Sequence, residues 1–242
     1  MERPDTKLST LLFFSGALKE AGARSVGAVI PYLPYMRQDR SFRKGEAVTS
    51  RIFAKFVSEH LDWLVTVDPH LHRYRSLSEI YSIPTRVVSA SSSIAGWIRK
   101  NVRKPVLIGP DKESGQWISK IAKEAGTPFT ILRKKRKGDR KVSISDSGLQ
   151  SWKGYTPVLV DDIISSGATM VETLRHLKKK GLEGAVCIGV HALFGDRVKK
   201  EILAAGARRI VTCNTVVHPT NAIDLSEILA EAVRKIAGKT RS

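Results

Sequence analysis

This sequence predicts an α/β fold with mainly parallel sheets flanked by helices, and three observations carry that prediction. Short apolar runs rich in β-branched residues alternate along the chain with stretches of helical period. The runs are continuous rather than polar–apolar alternating, which suits strands covered on both faces by crossover helices. Gly, Pro or Asp bounds them, and the order strand, helix, strand, helix recurs.

The elements follow in order. Leu8, Leu11, Leu12 and Leu18 mark a first helix by their apolar face, and Val26 to Ile30 a first strand. Ile52, Phe53, Phe56 and Val57 mark a second helix before the strand Trp63 to Val67. A serine cluster from Ser89 to Ser93 precedes a helix carrying Ile94 and Ile98, and is read as a domain boundary. Strands are then expected at Pro105 to Ile108, Pro128 to Leu132, Val158 to Val160, Ala185 to Val190 and Arg208 to Thr212. Met170, Val171, Leu174 and Leu177 form a helix after the third of these. The expected lobes are 1–90 and 91–242, with the last helix, Leu225 to Ile236, packing back on either lobe.

Composition narrows the class. At 242 residues and 42% hydrophobic content, the chain can bury a real core, which excludes a mainly disordered protein. Cys187 and Cys213, the only cysteines, are too few for a disulfide scaffold or a cysteine zinc site. Charged residues interrupt every apolar run, and the first residues hold no apolar signal core, so the expectation is a cytoplasmic protein with no membrane partner. Lys and Arg number 41 against 23 Asp and Glu, a net charge of +18. Such an excess implies an anionic partner: nucleic acid, acidic lipid or a phosphorylated small molecule.

In parallel sheets, ligands sit beyond the carboxyl ends of the strands. The strongest motif lies at such an end: Val158-Leu159-Val160-Asp161-Asp162, then Ile163-Ile164-Ser165-Ser166-Gly167-Ala168-Thr169 entering a helix. Ser166 to Thr169 would present N–H groups and hydroxyls at a helix N-terminus, where the dipole favours an anion. Asp161 and Asp162 can accept hydrogen bonds from sugar hydroxyls, directly or through a hydrated Mg²⁺. A plain Ser-capped helix is the simpler reading, but paired carboxylates before Ser-Ser-Gly-Ala-Thr are much rarer.

That string resembles the ribose-phosphate loop of the phosphoribosyltransferase superfamily. Other segments narrow the likeness: Pro31 to Arg40, with Tyr35-Met36-Arg37-Gln38-Asp39, is similar to a Pro-Tyr…Tyr-x-Arg-Gln-Asp segment of ribose-phosphate pyrophosphokinases, and Val65-Thr66-Val67-Asp68-Pro69-His70 to their Val-Asp-x-His strand end. Ile108-Gly109-Pro110-Asp111 and the run Arg133-Lys134-Lys135-Arg136-Lys137 continue the resemblance in the same order. The resemblance implies two phosphoribosyltransferase-like lobes. Ribose 5-phosphate would bind at Asp161, Asp162, Ser165, Ser166, Gly167, Ala168 and Thr169. ATP would meet Arg37 and Gln38, and Mg²⁺ would meet His70 and Asp111. Lys134 and Arg136 would be catalytic, on a basic loop that closes over the transferring group. The resemblance also implies a homo-oligomer with ATP and ribose 5-phosphate as partners. The reaction implied is attack of the C1 hydroxyl on the β-phosphorus of ATP.

Three departures stand out. The chain opens on a helix (Pro4, Asp5, Leu8), where such proteins carry a further strand-bearing segment with a Phe-x-Asp-Gly-Glu loop, so the first lobe is expected to be incomplete. Ser165 replaces a usual carboxylate, and Ser41 to Ala47 differs from the usual charged run. A non-catalytic or regulatory relative binding phosphorylated ligands, and a phosphoribosyltransferase acting on a base, are the competing readings. No helix-turn-helix, zinc or aromatic RNA-binding signature is present, so nucleic acid is not the expected partner.

Overall fold

The computed structural model describes residues 1–110, 114–137, 141–145 and 149–238. It divides into two units: Met1–Ser89 with Leu225–Ser242, and Ala90–Asp224.

In the first unit, helix α1 (Pro4–Glu20) leads to strand β1 (Gly27–Val29), helix α2 (Thr49–His60), and strands β2 (Trp63–Val67) and β3 (Thr85–Val88). The three strands form a parallel sheet in the order β1-β2-β3. Gly27 stands opposite Trp63, and a Cβ there would lie 2.0 Å from the indole ring, so only glycine lets this ring lie over β1. Helix α2 buries Phe53, Ala54 and Val57 against Leu64, Leu77 and Tyr81. Helix α1 is more exposed than its four leucines imply. Leu8, Leu11 and Leu18 pack on the core, while Phe13 and Phe14 are 75% and 65% exposed.

In the second unit, helix α3 (Ser91–Asn101), strand β4 (Pro105–Gly109), helix α4 (Gly115–Ala125) and strand β5 (Phe129–Ile131) precede a hairpin. The hairpin pairs β6 (Arg133–Lys137) with β7 (Lys141–Ser145), antiparallel. Strand β8 (Thr156–Ile164), helix α5 (Ala168–Lys179), strand β9 (Ala185–Ala192), helix α6 (Asp196–Ala204), strand β10 (Ala207–Cys213) and strand β11 (Asn221–Ile223) complete it. Six parallel strands run in the order β11-β10-β9-β8-β4-β5. β9 is buried along its whole length, as a central strand between helical layers must be. The core joins Val106, Ile108 and Leu159 to Leu174 and Leu177 of α5 and Ile202 of α6.

The last helix, α7 (Ser226–Ala237), belongs to the first unit. Its Leu229, Ala232, Val233 and Ile236 pack on Val65, Trp63 and Val88, covering a sheet face of that unit. The chain is thus an α/β protein with two parallel sheets, of three and six strands, flanked by helices.

Candidate active site

The paired carboxylates lie within a strand rather than after one. β8 continues four residues past the apolar run because β9 keeps pairing with it: Asp161 is in register with Gly189, and Ile163 with His191. Each carboxylate also takes a backbone donor from its own strand. The Asp162 N–H donates to Asp161 Oδ1 at 3.0 Å, and the Ile163 N–H to Asp162 Oδ1 at 2.8 Å. Both aspartates are half-buried, so they stay accessible while the strand holds them.

Beyond Ile164 the chain turns into α5. Gly167 is the N-cap residue with φ 72°, and its carbonyl accepts the first helical bond, from the Val171 N–H at 2.9 Å. A Cβ at Gly167 would lie 2.6 Å from Val198 Cγ1 on α6, so both backbone angle and space demand glycine. The Ala168 N–H reaches toward Ser166 Oγ at 3.5 Å, a long contact. Ala168 and Thr169 open the helix, so Ser165 to Thr169 wrap the positive end of a twelve-residue dipole.

Within the first unit, Arg37 is exposed on the segment after β1. Gln38 is tied to its surroundings: its Nε2 donates to the Ala47 carbonyl at 3.3 Å, and Thr49 Oγ1 donates to its Oε1 at 2.6 Å. The Ser50 N–H donates to the Gln38 carbonyl, which fixes the segment to the start of α2. Tyr35, with φ 63°, gives its hydroxyl to Asp5 at 2.7 Å, and that carboxylate raises the phenol above its usual range.

A neighbouring residue was not among those singled out from sequence. Asp39 is only 8% exposed, and Arg73 Nε lies 3.3 Å from its Oδ1. Tyr74 donates its hydroxyl to the Asp39 carbonyl at 3.3 Å and meets Ser50 Oγ at 3.1 Å. This cluster anchors the residues just after Arg37. The one local signal was Asp39 itself, an acid beside Arg-Gln; its partner stands 34 positions away.

His70 follows β2 after Asp68, whose backbone is left-handed at φ 32°. Its ring stacks on His72 with centroids 3.8 Å apart and planes at 28°. Asp111, its expected partner, lies outside the described residues. Lys134 and Arg136 were expected on a loop. Their backbone instead forms β6, in register with Ile144 and Val142 of β7. Lys141-Val142-Ser143-Ile144-Ser145 alternates β-branched and polar residues, and this is the pattern that pairs. Among the described residues, no helix is long and apolar enough to cross a membrane.

Comparison with known proteins identifies the family. The phosphoribosyl transferase domain model matches residues 76–227. The model of the N-terminal domain of ribose phosphate pyrophosphokinase matches residues 1–60. The chain is 34% identical over 236 residues to the ribose-phosphate pyrophosphokinase of Methanopyrus kandleri, covering 97% of this chain and 80% of that protein. It is 31% identical over 242 residues to that of Methanobrevibacter smithii, covering 95% and 80%. The crystal structure of phosphoribosylpyrophosphate synthetase from Mycobacterium smegmatis shares the fold, with a TM-score of 0.79 at 23% identity over 94% of this chain and 76% of that one. With its N-terminal and transferase parts matched in order and its likeness running through nearly its whole length, this chain belongs to the ribose-phosphate pyrophosphokinase family.

Proposed function

We propose that this chain transfers the diphosphoryl group of ATP to the C1 hydroxyl of ribose 5-phosphate, giving 5-phospho-ribose 1-diphosphate and AMP. One observation carries the reading. The same chain that builds a carboxylate pair and a glycine-capped helix entry on β8 and α5 also has the pyrophosphokinase N-terminal match around Arg37 and Gln38.

In this reading the 5-phosphate sits on Ser165, Ser166, Gly167, Ala168 and Thr169, at a helix N-terminus whose dipole favours an anion. Asp161 and Asp162 accept the ribose hydroxyls and orient C1. Arg37 holds ATP phosphates with a planar fork of donors, and Gln38 keeps the Arg37 segment against α2. The C1 oxygen bonds to the β-phosphorus as the bridge to the α-phosphate breaks. AMP leaves with the bridging oxygen, and the hydroxyl proton is released. Lys134 and Arg136 balance charge on the non-bridging oxygens during transfer.

Mg²⁺ is the expected cofactor, with His70 and Asp111 to hold it. Asp111 would give the ion an oxygen and His70 a nitrogen beside it, with most of the shell left to water and polyphosphate oxygens. When bound, the ion would supply charge neutralisation on the phosphates. A homo-oligomer is part of the same proposal.

Phosphorus NMR of the protein with ribose 5-phosphate, ATP and Mg²⁺ tests it. AMP and a sugar-linked diphosphate should accumulate, and both should vanish in Asp162→Asn. If ribose 5-phosphate binds and neither product forms, the transfer reaction is wrong for this chain, and a regulatory ligand-binding role takes its place.

A further inference from the structure

The proposed chemistry uses the carboxyl ends of the strands, whereas a large group of cations in the second unit sits at the other end. All six strands of the larger sheet run in one direction, so their amino ends form a single edge. Arg103 and Lys104 precede β4, Lys153 precedes β8, Lys179 closes α5 before β9, and Arg208 and Arg209 lie at the start of β10. Hydrogen bonds bring the loops side by side. The Thr156 N–H donates to the Lys104 carbonyl at 2.8 Å, and Thr156 Oγ1 to the Arg103 carbonyl at 2.9 Å. Ala207 is in register with Ala185 across β10 and β9. These six cations are exposed, and among the described residues none is in an ion pair. Among the described residues, Glu183 is the acid on these loops, and Glu124 lies in the last turn of α4 before β5.

Distance separates this edge from the site. A strand rises about 3.3 Å per residue, so β8 holds it roughly 25 Å from Ile164. Screening at physiological salt acts over about 8 Å, so a phosphate on Ser165 to Thr169 gains almost nothing from these charges. An edge with this excess of cations also repels itself, and the fold does not require it.

Aromatic rings are interleaved with the cations. Tyr155 follows Lys153, is 37% exposed, and is braced by Trp152 in an edge-on contact at 5.3 Å and 82°. The Arg209 guanidinium lies over the Trp97 ring, 5.2 Å from its centroid. Lys104 has left-handed backbone, φ 45°, an uncommon state for a residue with a side chain.

We propose that this edge binds single-stranded nucleic acid, with the cations on successive phosphates and Tyr155 stacked on a base. A cationic track with an exposed ring is the recurring surface for such strands, and it reads backbone and stacking rather than sequence. Such binding does not require the sequence-reading motifs whose absence argues against nucleic acid in the sequence alone. Adjacent strands stand about 4.8 Å apart, so the four involved spread the charge over roughly 15 Å, a track rather than a point.

The test is fluorescence anisotropy of the full chain with a labelled 20-nucleotide RNA of mixed sequence, over a KCl series. In R103Q/K153Q/R208Q the affinity should fall at least tenfold, and the slope of log affinity against log salt should shrink by about 2, at about 0.7 per phosphate contact. Y155A should weaken binding about tenfold with the salt slope unchanged. Circular dichroism should show both variants folded and melting like the parent. Saturating ATP and ribose 5-phosphate should leave RNA binding intact. The proposal is overturned if the triple variant binds RNA like the parent, or if the nucleotide and sugar phosphate displace the RNA. It is equally overturned if phosphatidylserine vesicles capture the chain while RNA does not.

Discussion

Gly167 shows how one residue can serve backbone and packing together. Its φ of 72° opens α5, and its missing Cβ admits Val198 of α6. Gly167→Ala should lower stability by about 2 kcal/mol or more, because left-handed alanine costs about 1 kcal/mol before any clash is counted. Urea unfolding would measure this, and adding Val198→Ala should recover the part due to the clash and leave the part due to φ. Cys187 illustrates burial acting on a titrating group. Desolvation pushes its thiol from an ordinary 9.0 up to about 12, since the thiolate cannot be hydrated inside β9. The sign follows directly. A raised folded value contributes stability that is fully present below pH 9 and is lost as pH rises toward 12. Stability should therefore fall over that alkaline window, and Cys187→Ala should flatten that part of the profile measured by denaturant titration.

At the scale of elements, α7 has the clearest task. It comes last in the chain yet covers β2 and β3 of the first unit, burying Ala232 and Ile236 beside Val65. Truncating Ile236 to Ala should cost about 2–5 kcal/mol, the range for removing a large buried aliphatic side chain. Urea unfolding followed by Trp63 fluorescence would report it, because Trp63 touches the same cluster. A loss under 1 kcal/mol would mean that the helix is not integral to that unit. The β6–β7 hairpin makes a different point. A run of cations reads as a loop, but its neighbour alternates Val142 and Ile144 with serines, and backbone pairing satisfies both strands.

At the scale of the whole molecule, two units with separate cores allow ligand effects to be assigned to one or the other. Ribose 5-phosphate should slow amide exchange at 161–169 and along the first turn of α5, and leave α2 and β1 unchanged. Hydrogen exchange with mass spectrometry would see this. Protection centred on α2 instead would assign the sugar phosphate to the wrong unit. Net charge is also a whole-molecule property. Of the +18, the part at the amino edge of the six-stranded sheet is remote from the proposed phosphate site.

Much of this was legible in the sequence. Trp63 to Val67 is a strand with those ends, and the runs at Pro105, Ala185 and Arg208 were each placed within two residues at either end. Continuous apolar runs and the Asp-Asp…Ser-Ser-Gly-Ala-Thr string are local signals, and local signals determined the fold class and the family. β3 and β11 were missed because they are short, and Arg86 and Asn221 interrupt any apolar pattern. The α4 stripe of Ile118, Ile121 and Ala122 was readable but was not singled out. Only the tertiary structure decided that Asp39 is buried against Arg73, that Gly167 must admit Val198, that Phe13 and Phe14 face outward, and that scattered lysines and arginines gather on one edge. The reason is physical: periodicity and propensity act over a few residues, whereas ion pairs, close packing and charge fields depend on distance in space.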